Sequence, residues 1–92
     1  MRLSNHNRAA VESMHWIEGR WHLDGKGIHA GVGIECRFPD GTWVRGRIES
    51  ADAGRKLFFH FDYHGCELQV RVDPEGYDEL PIRWPEEGRP RR

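Results

Sequence analysis

A chain of 92 residues has room for a single compact core, burying about 60 to 70% of its extended surface, and this excludes a second domain. Hydrophobic content of 37%, with 11 Gly, 5 Pro and 4 Trp, suits a small, turn-rich β protein. Fourteen Lys and Arg against fifteen Asp and Glu leave a net charge of -1, which excludes bulk attraction to nucleic acid or an anionic membrane and leaves room only for a local basic patch.

Most of the cations are arginine, a residue suited to planar, bidentate contact with carboxylate or phosphate, although a GC-rich genome produces the same bias. No apolar run approaches about 18 residues and no signal-peptide pattern opens the chain, so a soluble cytoplasmic protein is expected. The two cysteines, Cys36 and Cys66, are too few for a disulfide framework. Both fall on the inward parity of their strands, which makes them small core residues.

Along the chain, residues 1 to about 7 are polar. From Arg8 to Glu18 the residues Ala10, Met14 and Ile17 recur at helical spacing, Asn7 is placed to cap and Gly19 to terminate, and a short amphipathic helix is expected over 8–18. A helix this short does not persist alone in water and must lie on a sheet. Trp16 falls about 140° from its apolar stripe, so it meets a second surface or is exposed. Gly19 to Leu23 reads as a short strand ending in the turn Asp24-Gly25-Lys26-Gly27.

In the stretch from Val32 to Phe38 the even positions are apolar and Glu35 and Arg37 are charged, the alternation of a half-buried strand. Pro39-Asp40-Gly41 fits a three-residue hairpin loop that sets Cys36 opposite Val44 and Ile34 opposite Gly46. Val44, Gly46 and Ile48 then face inward while Trp43, Arg45, Arg47 and Glu49 face out. Gly46 within a strand implies a sharp bend or a close backbone approach. The runs Leu57 to Tyr63 and Cys66 to Val72, separated only by His64-Gly65, form a second hairpin with Tyr63 opposite Cys66, Phe61 opposite Leu68 and Phe59 opposite Val70. A register slip of one would bury Glu67 and Arg71. Asp73-Pro74-Glu75-Gly76 is a tight turn, Leu80, Ile82 and Trp84 alternate in a final strand that Pro81 places at an edge, and 85–92 is expected to be a disordered tail.

Five or six short antiparallel strands at this spacing point to a small curled barrel. The run Gly33 to Phe38, the Asp-Gly turn, Trp43-Val44-Arg45-Gly46-Arg47-Ile48-Glu49 and the second hairpin resemble an SH3-like barrel of the Tudor kind. The expected fold is therefore mainly β, an SH3-like barrel over 20–84 with one N-terminal α-helix. The succession Gly19-Arg20-Trp21, Ile28-His29-Ala30-Gly31 and Trp43-Val44-Arg45-Gly46-Arg47-Ile48-Glu49 also resembles a poorly characterised family of small bacterial domains on plasmids and other mobile elements. That resemblance brings no catalytic residues; the chain as a whole is expected to be a small bacterial or phage-borne accessory or inhibitor protein.

Candidate contact residues follow from the outward parity: Trp43, Arg45, Arg47, Phe58 and Arg71, with Trp16 as an outlier. Aromatic side chains on the solvent face of a sheet require a cover. Either the N-terminal helix lies there, with Met14 and Ile17 on Trp43 and Phe58, or the face meets another protein or a second copy of the chain, since Trp and Arg dominate interface hot spots. A third reading stacks bases on the aromatics and holds phosphates with the arginines. The methylated lysine or arginine reader role that the Tudor-like resemblance implies is disfavoured, because the arginines would repel a cation. His60, His64 and Cys66 do not converge on one face for a metal, and no nucleophile or phosphate loop accompanies His60 and Asp62. The sequence thus predicts a non-catalytic module without cofactor or metal, binding a protein partner, or alternatively nucleic acid, through the aromatic and arginine face.

Overall fold

The computed structural model describes residues 14–76 and 80–86. Three short strands, β1 (Met14–Ile17), β2 (Arg20–Leu23) and β3 (Lys26–Gly27), form one antiparallel sheet in the order β1-β2-β3. The second sheet contains β4 (Gly33–Arg37), β5 (Trp43–Ala51), β6 (Lys56–Tyr63), β7 (Cys66–Arg71) and β8 (Ile82–Arg83), in the order β7-β6-β5-β4-β8.

Two expectations are corrected. The first is the helix over 8–18: its last turns are strand β1, no α-helix occurs among the described residues, and residues 8–13 lie outside them. A strand makes better use of these side chains. Pairing with β2 sets Met14 against Leu23 and Trp16 against Trp21, so Trp16, which the helical stripe left out, gains an aromatic partner. The Glu18-Gly19 turn, with φ of 51° and 81°, closes that hairpin in two residues.

The second correction concerns the SH3-like barrel. The larger sheet is open, with β7 at one edge and the two-residue β8 at the other, and the N-terminal strands form a sheet of their own instead of closing it. Among the described residues, no strand bridges its two edges.

Within that corrected architecture the expected registers are present. Ile34 faces Gly46 and Cys36 faces Val44, while Phe59 faces Val70, Phe61 faces Leu68 and Tyr63 faces Cys66. His64 and Gly65 carry the positive φ values, 51° and 83°, that a two-residue hairpin turn demands. The inward parity fills one core: Ile34, Cys36, Ile48, Leu57, Phe59, Phe61, Val72, Ile82 and Trp84 from the larger sheet meet Met14, Trp21, Leu23 and Ile28 from the smaller one. Two indoles fasten the sheets together. Trp84 Nε1 donates to the Leu23 carbonyl and Trp21 Nε1 to the Arg55 carbonyl, each at 2.8 Å.

Gly46 decides the shape of the larger sheet. β5 pairs with β4 over Trp43–Arg47 and with β6 over Arg47–Ala51, so the two ladders overlap only at Arg47. At the crossover a Cβ on Gly46 would sit 2.2 Å from the His60 carbonyl oxygen and 2.7 Å from Phe59 Cζ. Only glycine admits that approach. Beyond it the β4–β5 and β6–β7 arms continue without pairing to each other, bridged on the inner side by Phe38 edge-on to Phe61 with ring centroids 5.0 Å apart.

Candidate interaction surface

The expected contact residues do not form one patch. Trp43, Arg45, Arg47, Phe58 and Arg71 do share the outer face of the larger sheet, but the face is long. Phe58 pairs with Glu49 and Arg71, and Glu49 lies six residues along β5 from Trp43, about 20 Å at the rise of an extended strand. Trp16 belongs to the other sheet, where it packs edge-on against Trp21 at 5.3 Å with the Arg55 guanidinium 4.4 Å from its ring centroid.

Nor is Trp43 waiting for a cover. The Arg83 guanidinium lies 3.9 Å from its ring centroid while Arg83 Nε donates to Glu35 Oε1 at 2.6 Å, so a cation held by a carboxylate caps the indole. The proposed cover by Met14 and Ile17 is replaced: Met14 is buried in the core and Ile17 is 45% exposed at the end of β1.

Two of the arginines of this face, Arg47 and Arg71, are held by carboxylates. Arg47 bonds Glu49 Oε2 at 3.0 Å and Glu67 Oε2 at 2.7 Å, and these partners raise its already high pKa. His60 Nδ1 is a buried atom without a hydrogen bond, its nearest carboxylate oxygen being Glu67 Oε2 at 3.7 Å. Arg71 Nε bonds Asp73 Oδ1 at 2.6 Å and Oδ2 at 3.1 Å, and Asp73, at 1% exposure, also accepts from the Leu57 amide. Removing either member of such a buried pair would strand a charge. The outer face is thus a mosaic of neutralised pairs, a poor phosphate track and a structural surface for most of its length.

The unsatisfied apolar surface lies on the opposite side. Along β6 and β7 the inward parity runs Leu57, Phe59, Phe61, Tyr63 and Cys66, Leu68, Val70, Val72. Its root is covered and its tip is not: Leu57 and Phe59 are buried, whereas Tyr63 is 57% and Leu68 44% exposed. Cys66, expected in the core, is exposed. The parity was right; the arm extends past the cover. Half-buried Val44, Phe38 and Val70 pack against the core.

Sequence reasoning missed Tyr63 and Leu68 as surface residues because nothing in an alternating pattern says where the opposing layer stops. It missed the Arg83, Glu35 and Trp43 stack because Arg83 sits in a two-residue strand 40 residues from Trp43 in the sequence. The Arg71-x-Asp73 spacing, two residues apart on one face, was a usable signal.

A shallow basic cavity of about 270 Å³, lined by Lys26, His29, Arg45 and Trp84 among others, lies near the β3 end of the molecule and has no carboxylate in its lining. Trp84 offers it no stacking platform, being 3% exposed with Lys26 Nζ over its ring. Among the described residues, no group of three or more His, Cys, Asp and Glu side chains is arranged to hold a metal ion, and no helix is long and apolar enough to cross a membrane. The chain matches no family model, no curated protein and no solved structure.

Proposed function

We propose that the protein is a non-catalytic interaction module whose projecting β6–β7 hairpin docks on a larger protein partner. One observation carries the reading: Tyr63, Cys66 and Leu68 extend the core face of the sheet beyond the point where the protein covers it. A continuous apolar strip on an ordered hairpin costs solubility unless something occupies it. Docking would bury Tyr63 and Leu68 at the centre, with the hydroxyl of Tyr63 and the nearby charges of Asp62 and Glu67 at a polar rim. Trp43 and Arg45, on the other side of the sheet, are then peripheral.

The alternative, nucleic-acid binding, draws support only from the basic cavity around Lys26, His29 and Arg45. The two readings separate in one set of measurements. Docking through the tip predicts that a partner retained by the wild type and by Trp43→Ala is lost by Leu68→Asp, with little change on raising salt. Phosphate binding predicts gel-shifted oligonucleotides at low salt, steep weakening as salt rises, and indifference to Leu68→Asp. Retention of the partner by Leu68→Asp would end the docking reading.

A further inference from the structure

Among the described residues β7 is an edge strand of six residues with no neighbour beyond it, whereas at the other end of the sheet β8 offers only two residues. The Val72 amide donates to the Leu57 carbonyl at 2.9 Å, so the even-numbered residues of this strand turn their N–H and C=O groups toward β6. Glu67, Gln69 and Arg71 therefore turn theirs toward the open edge. Exposed edges are ordinarily blunted by proline, lysine, a bulge or brevity. Cys66–Arg71 contains neither proline nor lysine and pairs with β6 without interruption from Tyr63↔Cys66 to Phe58↔Arg71.

We propose that this edge pairs with the same edge of a second copy of the chain, antiparallel, about a two-fold axis through Gln69. The register follows from side-chain chemistry. Pairing about Gln69 sets Glu67 of each copy opposite Arg71 of the other on the outer face and Leu68 opposite Val70 on the inner face. The groups facing the edge then meet as hydrogen-bonded pairs at Glu67–Arg71 and Gln69–Gln69. Shifting the axis to Val70 brings Glu67 against Asp73, a like-charge pair, and shifting it to Leu68 leaves Arg71 opposite the Gly65 turn.

Glu67 and Arg71, which Arg47 and Asp73 already engage within the chain, present opposite charges four residues apart along this edge. A second copy inverts the order and makes both complementary, which is why the occupant is this chain itself. Arg71 need not release Asp73, since a guanidinium carries five N–H donors. The dimer joins the exposed inner strips of both hairpins, Leu68 beside Val70 across the axis, into one longer apolar surface. It does not depend on the docking reading above, because Gln69 lies on the outer face and contributes nothing to the strip of Tyr63 and Leu68.

Sedimentation equilibrium over a dilution series tests the pairing. The wild type is expected to dissociate reversibly from dimer to monomer. Gln69→Pro removes an N–H that points away from β6, leaving the thermal midpoint nearly unchanged while raising the dimer dissociation constant roughly tenfold or more. In a Cys66→Ser background, Gln69→Cys should form a disulfide-linked dimer on mild oxidation, since paired Cα atoms across such an axis lie about 5.5 Å apart, within disulfide reach. Glu67→Cys, whose two copies would be about 13 Å apart along the strands, should not. A wild type that stays monomeric at every concentration, an unchanged dissociation constant in Gln69→Pro, or equal cross-linking at 67 and 69 would each overturn the proposal. Partner docking lost in Leu68→Asp but kept in Gln69→Pro would show that the two surfaces act separately.

Discussion

The root and the tip of the β6–β7 hairpin are made from the same materials. Both alternate apolar and polar residues, both keep an unbroken ladder, and both send their apolar side chains to the same side of the sheet. At the root, Leu57, Phe59 and Val72 are buried in the core; at the tip, Tyr63, Cys66 and Leu68 are exposed, with no covering layer among the described residues. Strand parity is a local property, set by the pleat, whereas burial depends on what a distant segment brings to lie opposite. In this molecule the distance between the two conditions is four residues along β6, from Phe59 to Tyr63. The proposed docking surface lies at the uncovered end, the core at the covered one.

Substitution should expose that contrast most sharply at the ring that anchors the root. Phe59 is fully buried and stacks on Phe61 with ring centroids 5.6 Å apart, so Phe59→Ala should cost about 3–5 kcal/mol in urea unfolding, enough to threaten folding altogether. Tyr63→Ala, four residues on and on the same face, should fall within about 0.5 kcal/mol of wild type. Equal costs at the two positions would mean that the tip is packed after all. The next largest effect belongs to the joint between root and tip. Gly46→Ala would drive a methyl into the His60 carbonyl and the Phe59 ring, an overpacking expected to cost about 3 kcal/mol and to separate the two arms. A cross-peak between Phe38 and Phe61 ring protons in an NMR spectrum should vanish with it.

How much of this was legible beforehand follows from the range of each signal. The His64-Gly65 turn and the alternation on either side fix the β6–β7 register within a dozen residues, and Pro39-Asp40-Gly41 does the same for β4 and β5; those pairings were readable. Gly46 announced a close approach because nothing else explains a glycine in mid-strand. The helix was misread because Ala10, Met14 and Ile17 satisfy a period of 3.6 while the stronger constraint, Met14 and Trp16 facing Leu23 and Trp21, belongs to a neighbouring segment. The barrel failed for a similar reason: closure depends on whether distant edges meet, and no local pattern records it. On the outer face the residue types were correctly assigned to one side, yet their meaning was reversed by partners from elsewhere. Glu35 and Arg83 cap Trp43, Glu67 occupies Arg47, and Asp73, read only as a turn residue, holds Arg71 from within the core.

The cover over the root can be loosened without touching the root itself. Trp21 Nε1 reaches the Arg55 carbonyl just before β6 begins, and Trp21→Phe keeps an aromatic ring but removes that donor and part of the buried indole, for an expected loss of about 1–2 kcal/mol. If the smaller sheet is what separates root from tip, this variant should speed amide hydrogen exchange at Leu57 and Phe59 and leave Gln69 unaffected.

The smallest effect lies at the rim of the same cover, where the Arg55 guanidinium, stacked over Trp16 and Trp21, is gripped by Glu75 through both carboxylate oxygens. The hydrogen bond from Arg55 holds the Glu75 carboxyl below its ordinary value of 4.5. A group whose pKa is lower folded than unfolded contributes stability that is present above the unfolded value and lost as pH falls through the folded one. Wild-type stability should therefore decline as acid is added below about pH 4.5, and Glu75→Gln, which has no carboxyl to protonate, should show a shallower decline over that window and a slightly lower urea midpoint at neutral pH. The pair is solvent-exposed, so both differences should shrink in high salt. An acid limb of the same steepness in wild type and Glu75→Gln would mean that the Arg55 stack over the two indoles stands without its carboxylate, and that the cover of the root is held by the Trp21 hydrogen bond and apolar contact alone.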